Sequence, residues 1–257
     1  MPSSAPIGVF DSGVGGISVL AEARKLLPCE DFIYYGDTLH APYGTRTPEE
    51  VLHLSEAAFD RLRERGCKAI VIACNTATAA AAATLRRQWP EFPIIAMEPA
   101  LKPASQMRHG GSILVLATPM TLKLDKFARL MALYGEGAVP LPCPGLPEIV
   151  EAMDFPAAEA YLRERLSAYL SPRPDAVVLG CTHYVFLRGI LRSILPAGTM
   201  IVDGNLGTAR QLKRVLAQRD LLNDVTHEGR CELTSSSDDP AAVTLMRRLL
   251  EMAEKET

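Results

Sequence analysis

No stretch of this chain stays apolar for the roughly 20 residues needed to cross a bilayer, which excludes a helical membrane protein. The start, MPSSAPIGVF, carries neither the basic residues nor the apolar run of a secretory signal, and the chain is expected to be cytosolic. There is no excess of one charge: 27 basic and 30 acidic side chains leave a formal net charge of −3. That gives no electrostatic footprint for nucleic acid or an anionic membrane. None of the six cysteines (Cys29, Cys67, Cys74, Cys143, Cys181 and Cys231) stands in a CxxC pair, and His40, His53, His109 and His227 show no metal spacing. A structural zinc site is therefore not expected. In a reducing compartment such cysteines are either small core residues or chemistry. The G-x-G-x-x-G dinucleotide fingerprint and the P-loop are missing as well.

What remains is an ordinary globular composition, 48% hydrophobic and 22% charged over 257 residues, enough for one large domain or two lobes. Short apolar runs recur: IGVFD (7–11), DFIYYG (31–36), AIVIA (69–73), PIIAM (93–97), SILVLA (112–117), AVPLP (138–142), AVVLG (176–180) and MIVD (200–203). Between them lie amphipathic or Ala-rich segments such as 47–66, 75–89 and 156–170. Strand alternating with helix predicts an α/β fold with parallel sheets flanked by helices. Continuous apolar strands agree with sheets covered on both faces.

The order of elements repeats. Ile7 and Ile113 are 106 positions apart, Phe32 and Ala138 again 106, Ala69 and Ala176 107. This predicts two similar lobes, residues 1–98 with 207–257 and residues 99–206. The Pro-marked segment MEPALKP (97–103) is the expected crossing point, and the closing segments TARQLKRVLAQRDLL and PAAVTLMRRLLEMAEKE are expected to complete the first lobe as helices. Within this rhythm Cys74 of AIVIACNT matches Cys181 of AVVLGCTH, also 107 apart. Each follows a buried strand and precedes a helix-compatible segment. Ligands of open α/β sheets bind beyond the carboxyl ends of the strands, so an active site is expected in the cleft between the lobes.

A cysteine opening a helix has its thiolate stabilised by unpaired N–H groups, and can act as base or nucleophile near neutral pH. For one such cysteine, packing is the better reading; for two at matched places, chemistry is. A redox pair would need disulfide reach, and a thiol hydrolase leaves the second cysteine unexplained. Two opposed acid–base groups suit the transfer of a proton from one face of a carbon to the other.

Other candidates surround the pair. Asn75, Thr76 and Thr182 are capping types that can equally hold a carboxylate. In FDSGVGG (10–16), Asp11 is a charge at the end of an apolar strand, beside Ser12. The glycines Gly13, Gly15 and Gly16 permit conformations that aim N–H groups at an anion. Pro42-Tyr43-Gly44 reads equally as a turn whose backbone contacts ligand and as a plain surface loop. Thr118 and Thr121 occupy the place in the second lobe that Asp11 and Ser12 hold in the first, as hydroxyl donors or as simple caps. His183, two residues from Cys181, either orients or protonates that site or is a satisfied histidine at a helix start. Cys143 reads as packing, and Glu151, on its own, as a solvated helix residue.

FDSGVGG, YYGDTLHAPYGTRT, VIACNTATA and VVLGCTHYVFL, in this order, resemble the motifs of bacterial glutamate racemases, members of the cofactor-independent aspartate/glutamate racemase group. The resemblance covers nearly the whole chain, with a C-terminal echo in SSSDDPAAVTLMRRLL. It implies a two-base racemisation of glutamate that needs no metal or organic cofactor and supplies D-glutamate for peptidoglycan. By that likeness Cys181 takes the proton from L-glutamate and Cys74 that from D-glutamate. Asp11 assists near Cys74 and His183 near Cys181. Ser12, Tyr43, Gly44, Asn75, Thr76, Thr118 and Thr182 hold the amino acid, and Glu151 aligns with a carboxylate near the second base. The chain departs from the family pattern at VDGNLGTA (202–209), where Gly204 and Asn205 replace the usual Ser and Gly. The expected partners are L- and D-glutamate and a second copy of the chain in a homodimer, with no nucleic acid and no membrane. An aspartate racemase, or a binding protein without turnover on the same fold, are the rival readings.

Overall fold

The apolar runs form strands that pair in parallel throughout. In the computed structural model, which describes residues 2–225 and 227–256, they are β1 (Ile7–Asp11), β2 (Phe32–Gly36), β3 (Ala69–Ile72), β4 (Ile94–Ala96), β5 (Ile113–Ala117), β6 (Ala138–Pro142), β7 (Ala176–Leu179), β8 (Met200–Asp203) and β9 (Cys231–Ser235). The first eight match the expected runs to within one residue at each end. They make two sheets, β4-β3-β1-β2-β9 and β6-β5-β7-β8. Residues up to Met97 and from Asn205 onward form one compact unit, and Glu98–Gly204 form the other.

Each unit is a parallel sheet flanked by helices. In the first, Phe10, Ile33, Tyr35, Ile70 and Ile72 project from one face, as the two-residue period of a strand requires. They pack with Val51, Phe59 and Leu62 of the helix Pro48–Glu64 and with Ala77, Ala81 and Leu85 of the helix Asn75–Gln88. The helices Ile17–Leu26, Asn205–Gln218 and Pro240–Glu256 form a second packed group. In the second unit, Ile113, Val115, Ala176 and Val178 pack with Leu101, Ala104, Phe127 and Leu130. Burying each such aliphatic or aromatic side chain stabilises the fold by about 1.5–3 kcal/mol.

The internal repeat extends to strand register. Ile7 pairs with Phe32 and Ala69, while Ile113 pairs with Ala138 and Ala176. Ile70 faces Ile94 as Val177 faces Ile201. The order β4-β3-β1-β2 thus recurs as β8-β7-β5-β6.

One strand departs from expectation. The C-terminal part of the first unit is not helical only: Cys231–Ser235 forms β9, in parallel pairing with β2 from Phe32↔Cys231 to Gly36↔Ser235. CELTS is short, half-exposed and polar at three of its five positions, as suits an edge strand and as hides it from an apolar pattern.

The two edges of the first sheet differ in character. At the amino ends, Lys68 and Glu30 are buried and paired (Nζ–Oε2 2.5 Å), and Glu30 also accepts the Asn223 amide at 2.9 Å. That charge is consumed in holding chain segments together. The carboxyl ends carry the candidate chemistry.

Candidate active site

At the carboxyl edge of the first sheet, β1 ends in Asp11-Ser12 and β3 runs into Ala73-Cys74. Asp11 is fully buried; its Oδ2 accepts the Gly16 amide at 2.8 Å and lies 3.5 Å from the Tyr34 hydroxyl, which also donates to the Gly13 carbonyl at 2.9 Å. The glycines here act differently from the expectation. Gly16 has φ −62, and none of Gly13, Gly15 and Gly16 adopts a positive φ. Gly16 is needed for close packing instead, since a Cβ there would stand 2.7 Å from Asp11 Cβ and 3.0 Å from Ala73 Cβ. Its amide points at the protein's own Asp11 carboxylate.

Cys74 is the N-cap of the 14-residue helix Asn75–Gln88, and its Sγ accepts the Ala77 amide at 3.4 Å. The Ser12 hydroxyl shares a hydrogen bond with the same sulfur at 3.3 Å. Asn75 and Thr76 follow, both buried. Among the described residues, neither amide atom of Asn75 has a hydrogen-bond partner although both are shielded from solvent. Burying a primary amide without partners is costly, on the order of 1–3 kcal/mol for each unmet group. Such a group, one residue from the thiol, is a ready donor and acceptor for a bound polar molecule.

Tyr43 and Gly44 sit on the loop that leaves β2, in the single helical turn Tyr43–Thr45. The Tyr43 ring is buried beside Phe10 (centroids 6.4 Å apart), and its hydroxyl donates to Asp37 Oδ2 at 2.6 Å. The turn therefore offers its backbone rather than its side chain. Asp37, which sequence reasoning did not single out, had one available signal. It ends the apolar run FIYYG as Asp11 ends IGVF.

In the second unit β7 ends at Gly180-Cys181. Here the matched halves diverge. Cys181 caps a six-residue 3-10 turn, Thr182–Leu187, rather than an α-helix, and makes no cap hydrogen bond of the kind Cys74 makes. The α-helix Arg188–Ile194 begins only afterwards. Short 3-10 turns align few peptide dipoles, so a side chain supplies what the helix does not. His183 Nδ1 lies 3.6 Å from Cys181 Sγ, and His183 Nε2 lies 2.8 Å from Glu151 Oε1. Glu151 ends the helix Leu146–Glu151 and is not a solvated bystander, because its carboxylate is engaged by the imidazole. Burial works to lower the His183 pKa. The hydrogen bonds to Cys181 and Glu151, with the charges of those groups, outweigh burial and hold it well above the usual value of 6.5.

Thr182 is buried immediately after the cysteine. Thr118 caps the short helix Pro119–Lys123 by accepting the Thr121 amide at 3.3 Å, and the two hydroxyls bond each other at 2.9 Å. Both threonines thus serve a helix start. Cys143 is fully buried, donates to the Leu141 carbonyl at 3.4 Å, and has its thiol pushed up to about 12 by burial. Cys67 is likewise pushed up to about 12 by burial. These are packing cysteines. Cys143→Ser is expected to leave turnover within about twofold while lowering stability by about 1–3 kcal/mol, since the smaller, more polar hydroxyl is buried at the longer thiol's distance from the Leu141 carbonyl. Steady-state kinetics beside a urea titration check both parts.

Among the described residues no cluster of three or more His, Cys, Asp or Glu side chains is placed to hold a metal ion, and no helix is long and apolar enough to cross a membrane. The chain is 46% identical to the glutamate racemase of Clostridium perfringens over 253 residues, 97% of each protein. Its structure is similar to that of the glutamate racemase from Thermus thermophilus in complex with beta-chloro-D-alanine, with a TM-score of 0.83 and 35% identity over 97% of this chain and 94% of that one. It is similar also to the Escherichia coli glutamate racemase in complex with L-glutamate and the activator UDP-MurNAc-Ala, with a TM-score of 0.84 and 30% identity over 97% and 95%. The Asp/Glu/Hydantoin racemase family model matches residues 16–212, and the chain belongs to that family.

Proposed function

We propose that this racemase interconverts L- and D-glutamate by a two-base proton transfer at the α carbon, supplying D-glutamate for peptidoglycan. The observation that carries the reading is the matched placement of Cys74 and Cys181. Each follows the equivalent strand of a repeated sheet at its carboxyl end, and each has polar partners suited to gaining or losing a proton. One thiolate removes the α-proton from one face while the other thiol delivers a proton to the opposite face. In this reading Cys181 acts on L-glutamate and Cys74 on D-glutamate.

The reading also gives parts to the neighbouring groups. The Ser12 hydroxyl and the Ala77 amide, both directed at Cys74 Sγ, stabilise its thiolate. Asp11 lies on the same edge and fixes the strand-to-helix turn that presents Ser12. His183, held by Glu151, plays the corresponding part for Cys181. The Asn75 amide, the Thr76 and Thr182 positions, the Tyr43–Gly44 backbone and the Thr118 hydroxyl hold the amino acid. The helix N-terminus after Cys74 favours the α-carboxylate. Both proton transfers run through sulfurs of the chain itself, so the reading calls for no organic cofactor. The setting is the cytoplasm and the assembly a homodimer, which light scattering checks.

Incubation of the purified protein with L-glutamate in D₂O tests the function. Loss of optical rotation with entry of deuterium at Cα, followed by proton NMR, is the expected result. Neither change with glutamate, but both with aspartate, would move the activity to the sister substrate. Neither change with either amino acid would leave a binding protein.

A further inference from the structure

A buried carboxylate that the proton transfer does not use follows β2, beside the end of β1 that carries Asp11 and Ser12. Asp37 is 3% exposed, and its own amide donates to the Asp11 carbonyl at 2.9 Å, tying it to the strand end that presents Ser12. Its two oxygens are taken by two residues of one loop. His40 Nδ1 donates to Oδ1 at 2.8 Å, and the Tyr43 hydroxyl donates to Oδ2 at 2.6 Å. Tyr43 has one polar side-chain atom, and Asp37 receives it. Burial, with the neighbouring Asp37 bond and charge, pushes the Tyr43 hydroxyl far up, so it remains a protonated donor. The loop has an outer stay too: Thr38 Oγ1 shares a hydrogen bond with Ser235 Oγ at 2.6 Å, and the Leu39 amide donates to Ser236 Oγ at 2.9 Å. Those serines come from the end of β9 and the SSSDD stretch, which the two-base reading leaves without a task. Between these stays Leu39 itself is exposed.

We propose that Asp37 is a positioning residue: through the Tyr43 hydroxyl it fixes the Tyr43–Gly44 backbone relative to Ser12, and so governs binding of the amino acid rather than proton transfer. The inference rests on the reading above, in which that backbone holds substrate. The packed Tyr43 ring and the outer stay hold the loop in place, and the Tyr43 hydroxyl is the link that ties its turn to Asp37 and, through the Asp37 amide, to the strand end that presents Ser12. Releasing the hydroxyl lets the backbone donors and acceptors drift from the ligand, while the thiols and their partners stay where they are. Binding energy lost equally from substrate and transition state raises KM and leaves kcat.

Four variants test this in the full chain: Asp37→Ala, Asp37→Asn, Tyr43→Phe and the double Asp37→Ala/Tyr43→Phe. Tyr43→Phe removes one oxygen from an otherwise packed ring, so it keeps the test alive where Asp37→Ala fails to fold. Asp37→Ala and Tyr43→Phe are expected to raise KM for both enantiomers by about tenfold with kcat within about threefold, the scale of one lost hydrogen bond to a charged group. Asp37→Asn, whose carboxamide oxygen still accepts the hydroxyl, should fall between them and the parent. The double variant should be no worse than the worse single, because both changes break one link. The pH profile of kcat should keep its shape in all four. An unchanged KM in folded Tyr43→Phe, or single effects that multiply in the double variant, would overturn the positioning role. A collapse of kcat with a lost limb in the pH profile would make Asp37 a proton carrier instead. A parent protein without turnover on glutamate would remove the underlying reading and this inference together. Parent turnover with an unaltered Tyr43→Phe would remove this inference alone.

Discussion

Cys74→Ser and Cys181→Ser are each expected to slow racemisation of glutamate by about 10²–10⁴-fold in both directions, the range a positioned acid–base group contributes. Every turnover needs one sulfur to take a proton and the other to give one, so neither loss is confined to one direction. Serine is the informative replacement because it leaves the scaffold in place. At position 74 it is a preferred helix N-cap and can still accept the Ala77 amide. At neutral pH its hydroxyl does not ionise, so the base is lost and the shape is kept. The residual chemistry should be one-sided. With Cys181 intact, Cys74→Ser should admit deuterium from D₂O into L-glutamate without inversion. Cys181→Ser should do the same with D-glutamate. Polarimetry and proton NMR on the same sample separate exchange from inversion. Full racemisation by either variant would refute the two-base assignment.

The two variants need not be equally impaired, because the repeat that places both cysteines does not furnish both in the same way. Cys74 relies on backbone and hydroxyl donors at the start of a 14-residue helix. Cys181 stands at a 3-10 turn and relies on an imidazole braced by a carboxylate. Backbone donors carry fixed partial charges, whereas an imidazolium carries a whole charge that depends on pH. The Cys181 half therefore holds the pH-sensitive element.

This division also marks where the sequence was readable. The strands were legible because each is an apolar run, with β1, β2, β3, β5 and β7 buried throughout, and the offset of 106–107 survives as identical register in the two sheets. β9 was not, because an edge strand such as CELTS needs no apolar run. The glycines of FDSGVGG were visible, but their physical reason was not: close approach to Asp11 and Ala73 leaves no trace in sequence, whereas a positive φ is the habitual reading of glycine. THYVFL looked able to extend a helix, yet its β-branched and aromatic residues are weak helix formers and five of its six residues are buried, so packing sets its geometry. The cysteines, Asp11, Asn75, Thr76, Thr182 and His183 stand out as candidates because strand ends and helix starts are local patterns. The Glu151–His183 bond joins residues 32 positions apart on different elements, and no local pattern announces it. Likeness to a family supplied Glu151; geometry explains it. Asp37 was within reach of the pattern that flagged Asp11 and was passed over because it leads into a loop rather than a helix.

His183→Asn tests the pH-sensitive half, and the expected loss at neutral pH is about 10²–10³-fold in turnover of L-glutamate, within the range for removing a group that assists proton transfer. The raised pKa of His183 favours the imidazolium form between the Cys181 sulfur and the Glu151 carboxylate. Asparagine keeps a donor near the sulfur but carries no charge. Removing a cationic neighbour disfavours a thiolate, so the rising limb of the pH–rate profile should move to higher pH in the variant. Glu151→Gln should shift the limb in the same direction and cost less, about tenfold, because the imidazole remains and only its brace is weakened. Stability should follow the same proton. A group whose pKa is raised on folding stabilises the native state fully below its unfolded value, near 6.5, and loses that contribution as pH rises through the raised native value. Parent and His183→Asn should therefore differ most in denaturant midpoint at about pH 6, with the gap closing as pH rises through the raised native value. A gap that widened with pH, or a rising limb left in place, would mean that His183 is neutral beside Cys181 and acts as a hydrogen-bond partner without charge.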